Sequence, residues 1–165
     1  MSTHNRIATA MAVVAMALVG CSRSAVQQTN AEVRLRGANA GDYHAVLVGV
    51  KSLVVTANGR ALAVVPGQRN LNLSDTTQAW LAGGFNLPDG ASSAHVALTL
   101  DDFGGFESAG AAGDVDARAH AIEFDAPAAG LALHGMATIE IDLSRSMIAR
   151  DAETRVLLPQ LRIFY

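Results

Sequence analysis

The chain is short of cysteine, of aromatic residues and of charge. Cys21 is the only cysteine, so no intramolecular disulfide can form. Aromatic residues make up 5% and charged residues 16% of the chain, and the formal net charge is −3. Lys and Arg are spread along the sequence rather than clustered, so we do not expect nucleic acid among the partners. No apolar run reaches the roughly 20 residues of a membrane-spanning helix.

Small apolar residues dominate instead. Hydrophobic residues make up 50% of the 165 positions, a composition that favours a compact core of Ala, Val, Leu and Ile. The length fits a single domain. A folded chain of this size buries about 68–70% of the surface that its unfolded form exposes, so its stability requires neither a metal nor a disulfide.

The first twenty residues have the pattern of an export signal. Arg6 gives a positive start, and small and apolar residues follow from Ile7 to Gly20 without an acidic residue. A positive start before an apolar run of this length is typical of a signal peptide. We therefore predict that residues 1–20 form a signal helix that is removed on export.

The end of this run has a short motif. Leu18, Val19 and Gly20 stand directly before Cys21, an order that resembles the lipobox of bacterial lipoproteins. The resemblance implies cleavage before Cys21, diacylglycerol on its thiol and often an acyl chain such as palmitate on the new amino terminus. Two or three chains hold a protein on a membrane, whereas one gives marginal binding. In enterobacterial lipoproteins the residue after the cysteine directs sorting between the two membranes. Ser22 stands at that position instead of Asp, so the resemblance implies the outer membrane. We expect this covalent lipid and no other cofactor.

A change of pattern marks the start of the folded domain. Residues 21–31 are polar after the cysteine and lack periodicity, so we interpret them as the lipidated Cys21 and a flexible tether. Residues 32–165 show the period-two alternation of half-buried strands, as where Val33 and Leu35 alternate with arginines. The sequence therefore predicts one β domain over residues 32–165.

Two local features of the longest strand pattern can be predicted. The segment from Tyr43 to Ala57 alternates, but its apolar phase shifts by one residue near Lys51-Ser52. Such a shift predicts a β-bulge, because one extra residue moves every later side chain to the opposite face. Asn58-Gly59 follows, and both residues tolerate the positive φ of a type I′ hairpin turn.

One segment resembles a helix. Residues 74–84 begin with a possible Ser cap, Asp75 and Gln78 resemble a capping box, and two glycines end the pattern. We interpret the Gly/Ala-rich residues 104–114 as a mobile loop and the apolar residues 130–135 as a short strand. Eight or nine short strands with one short helix predict an all-β fold, an antiparallel β-sandwich of transthyretin or immunoglobulin type.

Several short motifs occur in an order that resembles the bacterial domain-of-unknown-function family numbered 4382. They are an Asp-Tyr turn, a Leu-x-Leu strand, a Leu-Pro-x-Gly turn, an Asp-x-x-x-Ser segment and a Leu-x-Pro strand. These fall on Asp42-Tyr43, Leu71 and Leu73, Leu87–Gly90, Asp142 with Ser146, and Leu157–Pro159. The resemblance spans about residues 32–164 and implies a β-sandwich on the cell envelope. Family members often carry an aromatic after the Leu-Pro-x-Gly turn, where this chain has Ala-Ser-Ser-Ala-His, and no catalytic residue carries over.

Acidic residues flank the Gly/Ala-rich segment. Asp101 and Asp102 precede it, and Asp114 and Asp116 close and follow it. Calcium prefers several carboxylate oxygens from one flexible turn, and the Asp114-x-Asp116 spacing resembles half of a calcium loop. The Gly and Glu of an EF-hand are missing at the required offsets. The alternative interpretation is that these acids are solvated strand ends and turn caps.

The remaining candidates for chemistry are histidines and serines. Four histidines follow the signal peptide: His44, His95, His120 and His134. No two have the close spacing of a metal pair. Ser144 and Ser146 lie near Asp142, without the Gly-x-Ser-x-Gly elbow of a hydrolase. We expect Asp142 and Ser144 to hydrogen-bond the backbone of a turn, and Arg145 to pair with a nearby acid.

The sequence thus predicts a lipid-anchored protein of the bacterial cell envelope whose β-sandwich is non-catalytic, with a binding or structural role. One alternative is a calcium- or small-ligand-binding module, with Asp101, Asp102, Asp114 and Asp116 as the calcium candidates. A less favoured alternative is an envelope hydrolase. The expected partners are the membrane, through the lipid on Cys21, and an unidentified envelope protein or ligand.

Overall fold

The computed structural model describes residues 29–118 and 121–165, which form fourteen strands and two helices. In chain order these are β1 Thr29–Ala38, β2 Tyr43–Ala57, β3 Arg60–Ala61, β4 Val64–Pro66, β5 Asn70–Asn72, β6 Trp80–Leu87, β7 Ser93–Leu100, β8 Phe103–Ser108, β9 Ala111–Asp116, β10 Ile122–Pro127, α1 Ala128–His134, β11 Met136–Asp142, α2 Leu143–Ser146, β12 Met147–Ala149, β13 Thr154–Leu157 and β14 Leu161–Phe164.

The strands form two sheets, as predicted for an all-β sandwich. One sheet has the strand order β14-β11-β1-β6-β4, and the other has the order β10-β7-β2-β8-β9-β13-β12, with β3 and β5 also paired to β2. Alternate residues of both sheets form one hydrophobic core. Its fully buried members include Val33, Leu35, Val46, Val55, Val96, Leu98, Ile139 and Ile141. The period-two pattern of the sequence therefore identified the inward faces correctly.

The pairing of the strands is mixed rather than purely antiparallel. Most neighbours are antiparallel, but β1 is parallel to β11 and β9 is parallel to β13. Parallel neighbours need a long connection, and a large part of the chain separates the strands of both pairs. Strand number also exceeds the predicted eight or nine, because several strands have only two or three residues and show no alternation of their own.

Both local predictions for the long strand are confirmed. The register of β2 against β7 shifts between Val50 and Ser52, where the sequence predicted a bulge. Asn58 has φ +52° and Gly59 has φ +71°, as a type I′ turn requires. The turn joins β2 to β3 through the pair Ala57 and Arg60. Different segments of the 15 residues of β2 pair with four other strands.

The predicted helix over residues 74–84 is wrong. Most of its second half is β6, which pairs with β1 and β4. The Ser74 hydroxyl lies 2.8 Å from the carbonyl oxygen of His44 and joins the turn to β2 instead of capping a helix. A Cβ on Gly83 would lie 3.0 Å from the Val65 carbonyl oxygen. The glycine therefore permits close approach of β4 and does not end a helix.

Two other predicted segments also differ. Residues 104–114 form most of the β8–β9 hairpin instead of a mobile loop. The predicted strand over residues 130–135 is largely α1, which buries Leu131 and ends at Gly135 with φ +68°. A single buried side chain in the seven residues of α1 was too weak a helical signal to recognise. None of the helices in the described part of the chain is long and apolar enough to cross a membrane.

The amino-terminal predictions fall almost entirely outside the described residues. This applies to the signal helix and lipobox of residues 1–20, to Cys21 and to residues 22–28. The predicted tether ends too late, because β1 already begins at Thr29 and pairs there with Leu87 of β6. The polar residues Thr29 and Asn30 show no alternation, so the sequence alone did not reveal that they belong to a sheet.

Candidate functional site

Two of the four predicted calcium residues, Asp116 and Asp102, are paired with cations in the described part of the chain. Asp116 ends β9, and its carboxylate accepts two hydrogen bonds from the Arg118 guanidinium, at 2.9 and 2.6 Å. Arg150 approaches the same carboxylate at 3.9 Å. The hydrogen bonds from Arg118 hold the pKa of Asp116 at about 2, below the ordinary value of 3.8. This carboxylate is neutralised by protein groups.

The other three acids are arranged differently. Lys51 donates to Asp102 at 2.8 Å, and this bond raises the pKa of Lys51. Asp101 follows β7, with its backbone N–H bonded to Gly49, and Asp114 is exposed on β9. Residues 29–118 and 121–165 contain no group of three or more His, Cys, Asp or Glu residues that could hold a metal ion.

The histidines and serines do not form a catalytic arrangement in the described part of the chain. His95 lies 3.0 Å from the Asp125 carboxylate on the surface, while His44 and His134 are exposed elsewhere. His120 lies outside the described residues. Ser146 is fully buried, and its hydroxyl oxygen accepts from the Gln160 backbone N–H at 2.8 Å. It therefore fixes the chain before β14.

A polar cleft of about 110 Å³ lies at one end of the sandwich. This polar cleft is lined by Asn39, Glu140, Asp142, Arg145, Gln160, Leu161 and Arg162. Parallel β1 and β11 both end here, and antiparallel β14 begins here. Since β1 spans about 30 Å, the cleft lies at the opposite end of the sheet from Thr29. We call this end of the sandwich the distal end.

Asp142 organises one wall of the polar cleft. Its carboxylate accepts hydrogen bonds from the Ser144 hydroxyl at 2.7 Å, the Arg145 backbone N–H at 3.3 Å and the Asn39 amide at 2.9 Å. These bonds, the one from Ser144 foremost, lower the pKa of Asp142. The expected backbone contact of Asp142 is confirmed. The expectations for the other two residues are wrong, because Ser144 bonds the Asp142 carboxylate instead of the backbone and Arg145 forms no ion pair with the described acids. Its carboxylate caps α2 and holds the residue after β1.

Glu140 is also matched within the sheet. It lies between Arg36 of β1 and Arg162 of β14 in the strand register. Arg36 forms an ion pair with it at 2.6 Å, and the Arg36 guanidinium stacks 5.3 Å from the centre of the Phe164 ring. Glu140 therefore has its own cation, and Arg36 has its own carboxylate.

Two guanidiniums are left over in the polar cleft. Arg145 and Arg162 are exposed, and neither side chain forms an ion pair or hydrogen bond with the rest of the described chain. Guanidinium groups present a planar fork of N–H donors that fits a carboxylate or phosphate. The cleft therefore offers anion-binding chemistry. The sequence does not reveal this site because its lining comes from three separate segments, Asn39, residues 140–145 and residues 160–162, which meet only through the β1–β11–β14 register.

An apolar groove of about 370 Å³ adjoins the polar cleft. The apolar groove is lined by Ala121, Ile122, Glu123, Leu158, Pro159, Gln160 and Leu161. It shares Gln160 and Leu161 with the polar cleft. It lies beside β10 and β14, which are end strands of their two sheets. Towards the other end of these strands, the Tyr165 hydroxyl joins them by donating to the Asp125 carbonyl at 3.1 Å.

Comparison with known proteins gives no match: no protein-family model, no curated protein and no solved structure is similar enough to the chain. The resemblance to family 4382 therefore stays a prediction, and the site must be interpreted from its own geometry.

Proposed function

We propose that the protein is a lipid-anchored lipoprotein of the bacterial cell envelope, with a non-catalytic β-sandwich that binds a partner. The observation that carries this proposal is Leu18-Val19-Gly20-Cys21 at the end of an apolar run. The apolar run has the length of a signal peptide, and the cysteine lies where a lipobox places it. The short motifs from Asp42 to Pro159 support placing the chain in family 4382.

The position of β1 is compatible with such an anchor. The connection from Cys21 to Thr29 can span at most about 28 Å. An acylated Cys21 would therefore keep the Thr29 end of the sandwich near the membrane. The distal end, with the polar cleft and the apolar groove, would then face away from the lipid and be accessible to a partner.

Binding is favoured over hydrolysis and calcium by the contacts of the candidate residues. The buried Ser146 hydroxyl is engaged by a backbone N–H, and Ser144 donates to Asp142. Asp116 and Asp102 each have a basic partner in direct contact. In contrast, Arg145 and Arg162 have no such partner within the described residues. The exposed guanidiniums of Arg145 and Arg162 are therefore the groups that we propose for recognition.

Lipid labelling tests the anchor. We expect cells that produce the wild-type chain, or the control Ser24→Ala, to incorporate labelled palmitate into the protein. Cys21→Ala should incorporate none and should retain residues 1–20, because the modified cysteine is the signal for cleavage. Equal labelling of the wild type and Cys21→Ala would overturn the proposal.

Membrane fractionation of the same cells tests the location. We propose the outer membrane, because Ser22 follows the cysteine. Ser22→Asp should move the lipidated protein to the inner-membrane fraction. If wild type and Ser22→Asp both occur in the inner membrane, the outer-membrane assignment is wrong, although the lipid anchor would stand.

A further inference from the structure

We propose that the distal end binds the carboxyl terminus of a partner polypeptide whose last residues are apolar. The polar cleft holds the terminal carboxylate, and the apolar groove holds the side chains that precede it. The proposal deepens the binding role proposed above by naming the site and the ligand. It does not depend on the lipid, because every residue involved belongs to the sandwich.

The carboxylate follows from the charges of the polar cleft. Arg36, Arg145 and Arg162 place three cations at the distal end against the two carboxylates Glu140 and Asp142. Glu140 is paired with Arg36, and Asp142 accepts its hydrogen bonds from neutral donors. The guanidinium N–H groups of Arg145 and Arg162 therefore have no direct partner among the described residues. A cleft of about 110 Å³ admits a carboxylate and a few carbon atoms, so most of the ligand must lie outside it.

The apolar part follows from the adjoining groove. Leu158 is 45% and Leu161 is 39% exposed, although both lie in a concave surface with Ile122 at its base. Covering such side chains is favourable in proportion to the apolar area removed from water. Gln160 and Leu161 belong to both surfaces, so one ligand can occupy both only with its charged end next to its apolar part.

The strand edges favour a polypeptide over an aliphatic acid. β10 and β14 are end strands, and each has one edge without a strand neighbour in the described part of the chain. Unpaired strand edges offer backbone N–H and C=O groups to an extended peptide. The Tyr165 hydroxyl joins the two strands near their other ends, which leaves the distal end as the open side. An aliphatic acid would leave these backbone groups unused.

Fluorescence anisotropy tests the proposal with defined probes. The full chain is reconstituted in phospholipid nanodiscs, with empty nanodiscs as the blank. The probe is the peptide Ala-Val-Val-Leu with fluorescein at its amino end and a free carboxyl terminus. We expect saturable binding, weakened about a hundredfold when the carboxyl terminus is amidated, since a charge-assisted hydrogen bond to each of the two guanidiniums is lost. Hexanoate serves as a competitor that lacks a backbone.

Three substitutions locate the site. Arg145→Gln and Arg162→Gln should each weaken binding of the free-carboxyl peptide about tenfold, and neither should change binding of the amidated peptide. Arg60→Gln, an exposed arginine after the Asn58-Gly59 turn, is the matched control and should bind as wild type. Melting temperatures of all three variants verify that each is folded.

Specific results would overturn the proposal. Equal affinity for the free and the amidated peptide would contradict the proposed carboxylate site. Equal losses of peptide affinity in Arg60→Gln and Arg162→Gln would contradict it as well. If an equal concentration of hexanoate displaces the peptide, the ligand is an aliphatic acid and the proposed polypeptide ligand is wrong. Peptide binding by a wild-type chain that incorporates no labelled palmitate would contradict only the lipid anchor. Normal labelling without peptide binding would remove only this site.

Discussion

Two regions of the molecule bring carboxylates and guanidiniums together, and they differ in how the charges are matched. Around the end of β9, Asp116 bonds Arg118 directly, and Arg150 approaches the same carboxylate. In the polar cleft, neutral donors and one backbone N–H satisfy Asp142. The cations beside Asp142 are therefore left available.

The difference shows that the presence of acidic residues in a segment does not identify a binding site. The groups that contact each carboxylate in the folded chain determine whether it is available. The four aspartates at positions 101, 102, 114 and 116 were the more prominent feature of the sequence, but the tightest contact among them belongs to a two-residue separation, Asp116 to Arg118. A carboxylate with a cation in direct contact gains little from a further cation. In the polar cleft, by contrast, the two lining cations Arg145 and Arg162 have no carboxylate in direct contact within the described residues.

The largest loss of stability is expected at Gly113, where β9, the strand that carries Asp116, packs against the loop before β13. A Cβ on Gly113 would overlap the Glu153 carbonyl oxygen, so Gly113→Ala must displace β9 from the loop before β13. We expect a loss of about 1–3 kcal/mol in the free energy of unfolding, measured by urea denaturation.

Gly110→Ala is the matched control for this prediction. Gly110 lies in the turn of the same hairpin, and a Cβ added to it would meet no heavy atom within 4 Å. It should change the free energy of unfolding by less than about 0.5 kcal/mol. Equal effects of the two substitutions would show that β9 does not pack closely against the loop before β13.

A somewhat smaller effect is expected at the polar cleft. Ser146→Ala removes the oxygen that accepts from the Gln160 N–H and leaves that group without its partner. An unsatisfied group of this kind costs about 1–2 kcal/mol. The control Ser144→Ala loses only an exposed bond to Asp142 and should cost less. Equal unfolding midpoints for Ser146→Ala and wild type would contradict the anchoring role of Ser146.

The smallest effect on stability is expected for substitution of Asp116, and it depends on pH. Because the pKa of Asp116 is about 2 when folded and 3.8 ordinarily, the unfolded chain binds the proton more readily. This carboxylate therefore stabilises the fold above its ordinary pKa, and the contribution is lost as pH falls towards 2. Asp116→Asn should lower the melting temperature at neutral pH, and its difference from wild type should shrink as pH falls.

Asp114→Asn is the control for the pH series. Asp114 lies on the same strand but its carboxylate has no hydrogen bond or ion pair with the other described residues. This substitution should change the melting temperature little across the series. A difference between Asp116→Asn and wild type that stays constant down to low pH would refute the assigned role of the Arg118 contact.

Much of the fold was predictable because its signals are local. Alternation at Val33 and Leu35, or at Ile139 and Ile141, follows directly from burial of one strand face. The Asn58-Gly59 turn is predictable because few residues adopt two consecutive positive φ values. The predicted helix over residues 74–84 is wrong because its signals were only local. Its capping residues favoured a helix, but pairing of β6 with the distant strands β1 and β4 stabilised a strand there.

The β class, the inward faces, one bulge, one hairpin turn and the motif that predicts lipidation of Cys21 can all be recognised in the amino-acid sequence. The parallel pairing of β1 with β11, and the addition of β14 to them, depend on the assembled sheets. That register places Arg145 and Arg162 beside carboxylates already matched by other groups. The two kinds of feature differ in how far apart in the chain the interacting residues lie. Alternation and turns depend on neighbouring residues, whereas the matching of a charge depends on every group that the fold brings to it.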